Sequence, residues 1–245
     1  EEFIFGSKFE FSERIGKSAY YSGEGDLIMV RPGNHMWETN FVPDLEQIEL
    51  TKWDARGAGS SIILLVLADG NMHAHISEMP IGTYKKGHRH GSGAHVMIVA
   101  GTGYSLFWWD DAKDFKRLDW KHGMVFPPPA GQWHQHFNTG TKPARYLATS
   151  MGSIRYPFTA RKRRSTGTTT KGADISVVTS HKKGGDQIEY EDQDPRVHRK
   201  WLEAIAKNGV KSEMGDTFDE AAIMALPPEK LTGKIHMPVI LDNIS

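Results

Sequence analysis

Gly82-Thr83-Tyr84-Lys85-Lys86-Gly87-His88-Arg89-His90 and, further along, Gly131-Gln132-Trp133-His134-Gln135-His136-Phe137-Asn138 are the two stretches that decide the fold. Each opens with a turn-forming glycine and runs into histidines that alternate with other residues. Side chains two apart on a strand point to the same face. His88 and His90 therefore share a face, and so do His134 and His136. Two such strands brought together would offer several imidazoles to one metal ion. His95, Gly101 and Gly103 follow the first stretch, while Gly123 and Pro129 lead into the second.

Working outward, the surrounding sequence reads as short strands broken by Gly, Pro and Asp. Asp26–Val30 and Gln47–Leu50 are expected strands, with turns at Pro32-Gly33 and Pro43-Asp44. Ile62–Leu67 is a continuous Ile, Leu and Val run, the pattern of a strand buried on both faces. Asp69-Gly70 signals a tight hairpin into a strand over Met72–Met79. Further strands are expected at His95–Ala100, Tyr104–Trp109, Met124–Phe126, Trp133–Phe137 and Ala144–Thr149. Regular short strands of this kind build sandwiches or barrels. His73 and His75 also alternate, but without companion glycines.

The two motifs resemble those of the cupin superfamily, small antiparallel barrels that usually hold one metal. Gly82, His88 and His90, with Gly101 or Gly103 closing, match the first motif; Gly123, Pro129, Gly131, His134 and Asn138 match the second. The resemblance spans roughly residues 60–152 and contains each motif once. It implies an all-β fold, a single cupin (double-stranded β-helix, or jelly-roll) barrel over 59–153. N-terminal strands and an arm would occupy 1–58, and a C-terminal extension with a helix near 195–207 would occupy 154–245. It also implies metal ligation by His88, His90 and His134. His95 stands where the family usually has a glutamate, and is the expected fourth ligand.

That exchange bears on chemistry. A carboxylate lowers the net charge at a divalent metal, whereas neutral imidazoles leave its full charge and Lewis acidity. All-histidine cupin sites resemble those of some iron(II) dioxygenases. The leading expectation is thus a metal-dependent, dioxygenase-like oxidoreductase acting on a small organic molecule, with Fe(II) as the metal and Mn, Ni, Cu or Zn as alternatives. A non-oxidative lyase, isomerase or decarboxylase is the second reading, and a cupin that binds a small molecule without turnover is the third. His136 shares the phase of His134 and is a candidate general acid or base. Gln132, Glu78 and Arg145 are candidate substrate contacts, the last for a carboxylate. Trp108, Trp109, Trp120 and Trp133 are expected in the core or a subunit contact.

Composition narrows the classes. The 245 residues suffice for one substantial core. Thirty acidic and thirty basic residues cancel, so no global field draws nucleic acid or an anionic membrane. The run Arg161–Arg164 reads as a solvated loop, as does Lys182-Lys183-Gly184-Gly185. Without cysteine there are no disulfides, zinc thiolates or thiol nucleophiles. No apolar run is long enough to span a bilayer. A cytoplasmic setting is the expectation, although a chain that starts at Glu1 leaves a preceding segment open. Near the C-terminus, Asp194 and Pro195 signal a helix start, Asn208-Gly209 its end, and Val197, Trp201, Leu202 and Ile205 form an apolar stripe. The stripe needs cover, from the barrel or from a partner subunit, and a homodimer is expected.

Overall fold

The computed structural model describes residues 21–31, 33–67, 72–90, 93–151, 161–162, 169–170 and 178–241. Its strands are β1 (Asp26–Arg31), β2 (Asn34–Thr39), β3 (Thr51–Lys52), β4 (Ser61–Leu67), β5 (Met72–Met79), β6 (Gly87–His88), β7 (His95–Ala100) and β8 (Thr102–Trp108). They continue with β9 (Lys116–Lys121), β10 (Val125–Phe126), β11 (Trp133–Asn138), β12 (Ala144–Met151), β13 (Arg161–Lys162), β14 (Thr169–Thr170) and β15 (Gln187–Ile188). Two α-helices follow, α1 (Pro195–Lys207) and α2 (Glu220–Met224).

Two sheets form the frame. The larger runs β1-β2-β4-β5-β12-β7-β10, with β3 pairing β4; the smaller runs β15-β6-β11-β8-β9. Except for the parallel pair β2–β4, neighbours in both are antiparallel. Strand alternation gives each sheet one face toward the other. Met79, Val96, Ile98 and Tyr146 from the larger sheet meet Phe107 and Trp120 from the smaller in one buried cluster. Burying these faces supplies the main favourable term of folding.

Gly101 makes the turn between β7 and β8 at φ +83°, and a Cβ there would lie 2.7 Å from the Ala144 Cα. Gly82 has φ +71° and backs onto the Lys211 carbonyl, 2.5 Å from where a Cβ would sit. Both positions demand the conformations open to glycine. Asn138 closes the second motif from within. Its side-chain amide donates to the carbonyls of Met79 (3.2 Å) and Lys142 (2.9 Å), and its Oδ1 accepts from Gly140 N–H (2.9 Å).

The outer face of the smaller sheet is covered by the C-terminal part of the chain. Asp194 caps α1 by accepting from Arg196 N–H, Pro195 occupies the first turn, and Gly209 follows at φ +66°. The stripe Val197, Trp201 and Ile205, with Leu202 at its edge, packs on Tyr84, Tyr104, Leu106, Trp133 and Phe137. Trp201 also donates its indole N–H to the Asn138 carbonyl at 2.9 Å. The stripe is thus covered by its own chain and supplies no argument for a subunit contact. Trp108 and Trp133 lie in this outer cluster, Trp120 lies between the sheets, and Trp109 is exposed.

Three expectations are corrected. Gln47–Leu50 is not a strand; pairing starts at Thr51, and the preceding segment lies against the larger sheet, with Ile48 and Leu50 packed on Ile63, Leu65 and Ile76. Asn34–Thr39, Lys116–Lys121 and Gln187–Ile188 are strands not anticipated, while the strand expected at the first motif is paired over Gly87–His88. Lys182–Gly185 is no free loop: it forms a 3-10 turn with Gly185 buried and Lys182 ion-paired to Asp192. Asp69-Gly70, Pro32, and Arg163 and Arg164 of the basic run lie outside the described residues. Among the described residues no helix is long and apolar enough to cross a membrane.

Because Trp201 is fully buried and joins helix to sheet, Trp201→Ala should destabilise the protein by about 3–5 kcal/mol. Urea denaturation checks this. A loss under about 1 kcal/mol would mean that α1 is not part of the cooperative core.

Candidate metal centre

β6 and β11 pair so that His88 stands directly opposite His134. On β11 the outward residues Trp133, Gln135 and Phe137 face the C-terminal cover, which turns His134 and His136 into the space between the sheets. His88, His134 and His136 are all buried, and one ring nitrogen from each lies within 4.8 Å of the other two. His90, half-buried, closes the group: its ring centroid is 4.9 Å from that of His134 and 6.1 Å from that of His88. Phe107 and Phe126 line the inner side, at 6.4 Å from His134 and 6.0 Å from His136.

Hydrogen bonds prepare these rings as ligands. His88 Nδ1 is 3.0 Å from the Lys86 carbonyl, and His134 Nδ1 is 2.9 Å from the Gln132 carbonyl. A carbonyl oxygen only accepts, so both Nδ1 atoms carry the proton and both Nε2 atoms keep their lone pair. His136 Nδ1 bonds the Ser105 hydroxyl at 2.7 Å, and Ser105 accepts from the Trp120 indole at 2.9 Å. Supports of this kind orient metal-binding imidazoles.

Electrostatics act in the same direction. Burial, with the Arg56 charge and the neighbouring rings adding to it, holds His88 well below the usual imidazole value. Burial and the adjacent histidines do the same to His134. Burial, then Lys85, His90 and Arg56, push His136 down to about 3. The rings are neutral at neutral pH, as ligation requires. Three converging neutral imidazoles, with Nε2 free on two of them, fit a divalent transition metal, for which imidazole is a common ligand.

The other expected residues fall elsewhere. His95 is exposed: on β7 it alternates out with Met97 while Val96 and Ile98 turn in, and the neighbouring buried position is Ala94. The structure does not bring His95 to the cluster, and no carboxylate takes its place among the described residues. Glu78 and Arg145 lie in phase with Ile76 and Leu147 on the far face of the larger sheet. There they pair with each other at 2.8 Å, and Arg145 also donates to the carbonyls of Leu45 (3.1 Å) and Ile48 (3.0 Å). These contacts tie the N-terminal segment to the sheet, and strand phase places both residues on the face away from the histidine cluster. Gln132 is buried beside the site, with its carbonyl on His134.

Sequence reasoning missed the rest of the surroundings. Lys85 is buried, its Nζ hydrogen-bonded to Ser77 Oγ and 5.3 Å from the centre of the Tyr146 ring. Tyr146 stacks at a tilt on His136, centroids 5.2 Å apart, and meets His75 at 6.0 Å. Burial, then Arg56, lower the Lys85 ammonium to about 7. A lysine is ordinarily exposed, so nothing in Tyr84-Lys85-Lys86 distinguishes the inward lysine from its neighbour, which pairs with Glu189.

The site generates two predictions. In the unfolded chain these imidazoles take up protons near 6.5, whereas the folded rings resist protonation. Unfolding therefore binds protons, and the metal-free protein should lose stability as pH falls from about 6.5. Denaturant midpoints at about pH 7.5 and about pH 4.5 test this; equal midpoints would show that the histidines are not buried neutral. Ser105→Ala removes the support of His136 and should weaken metal binding about tenfold to a hundredfold, by competition with a chelator. Unchanged affinity would place His136 outside the ligand set.

No family model matches the chain, and no curated protein does. Solved structures show likenesses of fold at low identity. A cupin 2 conserved barrel domain protein from Rhodopseudomonas palustris is 22% identical, with 43% of this chain and 72% of that one covered and a TM-score of 0.37. A protein described as a predicted oxalate decarboxylase from Thermotoga maritima is 20% identical, covering 46% and 99%, with a TM-score of 0.38. A cupin-like protein from Thermotoga maritima is 18% identical, covering 43% and 80%, with a TM-score of 0.36. The two motifs stand in order on β6 and β11 with their histidines turned between two packed sheets, an arrangement consistent with a cupin sandwich.

Proposed function

We propose that this protein is a metal-dependent enzyme acting on a small organic molecule, with iron(II) as the metal and dioxygen chemistry as the leading reaction class. The observation that carries the reading is the all-nitrogen donor set. His88, His134 and His136 offer ring nitrogens within 4.8 Å of one another, and no carboxylate joins them among the described residues. In this reading these three histidines are the ligands, with His90 at the rim as the fourth candidate. A divalent iron held there would supply an undiluted Lewis acid and a source of electrons.

The chain's own residues do the rest. The carbonyls of Lys86 and Gln132 and the Ser105 hydroxyl hold the three rings in place. Phe107 and Phe126 keep water from the inner side. His136, pushed down to about 3, is a weak base at neutral pH and serves better as a ligand than as a proton carrier. With His88, His134 and His136 as the ligands, positions stay open for a small molecule, and His90 at the rim need not fill them, which supports turnover over a closed structural site.

Elemental analysis of protein purified without added metal should give about one transition-metal ion per chain. His134→Ala should lose most of it while staying folded, and His95→Ala should keep it. Full occupancy in His134→Ala would overturn the ligand assignment. Oxygen uptake that depends on added iron(II) supports the dioxygenase class. Metal-dependent turnover without oxygen would move the protein to the lyase, isomerase or decarboxylase class.

A further inference from the structure

The space beside the histidines contains a buried lysine with no carboxylate partner among the described residues. Lys85 reaches it from the turn before β6: its backbone N–H donates to the His136 carbonyl at 3.0 Å, and its side chain runs inward to Ser77 Oγ on β5. Ser77 and Met79 are the fully buried, inward residues of that strand. Around Nζ are a hydroxyl and the Tyr146 ring, and no carboxylate ion-pairs with it among the described residues. Arg56 adds a second positive charge, with Nη1 3.2 Å from Oε1 of Gln187, the residue that pairs with His88 in register.

The acidic groups nearby are committed elsewhere. Glu189 pairs with Lys86, Asp186 with Arg89, and Glu78 with Arg145 on the far face. A buried ammonium held only by a hydroxyl and a ring face is costly. Nothing in the packing explains it, since a Met of similar length would fill the same space without that cost. A bound anion would supply the missing partner, through a charge-assisted hydrogen bond.

We propose that Lys85 is a substrate-binding residue and that the site takes a small carboxylate, whose anionic oxygens lie between Lys85 Nζ and the His88–His134–His136 cluster. The proposal rests on the reading of the cluster as a metal centre for the second contact of the carboxylate, but the Lys85 contact stands without it.

The test uses glycolate and its neutral analogue glycolamide as probes, titrated into the full chain loaded with cobalt(II) and followed by the visible absorption of the metal. Wild-type protein should bind glycolate more tightly than glycolamide. Lys85→Met should keep its cobalt stoichiometry and weaken glycolate roughly tenfold to a hundredfold while leaving glycolamide unchanged. Equal glycolate affinity in wild type and Lys85→Met would overturn the proposal. So would equal affinity of the wild type for the two probes, a comparison that needs no variant to fold. If wild-type protein takes up no cobalt, the metal reading fails by itself, and calorimetry with glycolate on the metal-free protein decides the rest. Glycolate binding that Lys85→Met abolishes would uphold the anion site, and binding that is absent or indifferent to the substitution would overturn it.

Discussion

The antiparallel pairing of β6 with β11, which sets His88 opposite His134, is the constraint on which the rest of the site depends. A register slip of one residue would turn His134 and His136 outward and drive Trp133, Gln135 and Phe137 into the space between the sheets. Both faces of β11 oppose that slip. Outside, Trp133 and Phe137 are locked under α1 and the aromatic cluster around Tyr84. Inside, Asn138 ties the end of the strand to Met79 and Lys142. The C-terminal cover therefore positions the histidines as much as the motif residues do, and its β15 pairs directly with His88.

Burial then sets the chemistry of the rings. Imidazoles so close together resist protonation, each raising the cost of charge on the next. Kept neutral, they bring one ring nitrogen each to within 4.8 Å of the others, a donor set that fits a divalent metal. The same low-dielectric interior contains Lys85, and the two features share a logic: groups that are costly without a partner are placed where a partner would bind. A dication and an anion together would satisfy both.

The far face of the larger sheet shows how similar residues serve structure when strand phase reverses. Glu78 and Arg145 are directly opposite on β5 and β12, one residue out of phase with Ser77 and Tyr146. Their contact, in which two guanidinium nitrogens meet Glu78 Oε2, and the two carbonyls that Arg145 reaches fasten residues 45–48 over Ile63, Leu65 and Ile76. That segment is apolar at Ile48 and Leu50, which is why it resembles a strand in sequence. The carbonyls of Leu45 and Ile48 accept from the Arg145 side chain, and the Ile48 N–H turns back to the Asp44 carbonyl at 3.1 Å instead of pairing with a neighbouring strand.

By itself the sequence determined the class of fold, the two motif strands and the inward face they share, because alternation and turn glycines are local properties of the backbone. It also determined α1 and both of its ends, for which capping and a single apolar stripe suffice. What only the tertiary structure decided was which residues meet. His95 is on a strand, as its neighbours predict, yet the phase of β7 is set by Val96 and Ile98 packing between the sheets, and that turns His95 to solvent. His136 joined the cluster, and Lys85 became buried, through pairings with strands distant in the chain: Ser105 on β8, Ser77 on β5 and Tyr146 on β12. A lysine's burial depends on what the rest of the chain brings over it, and no local pattern records that.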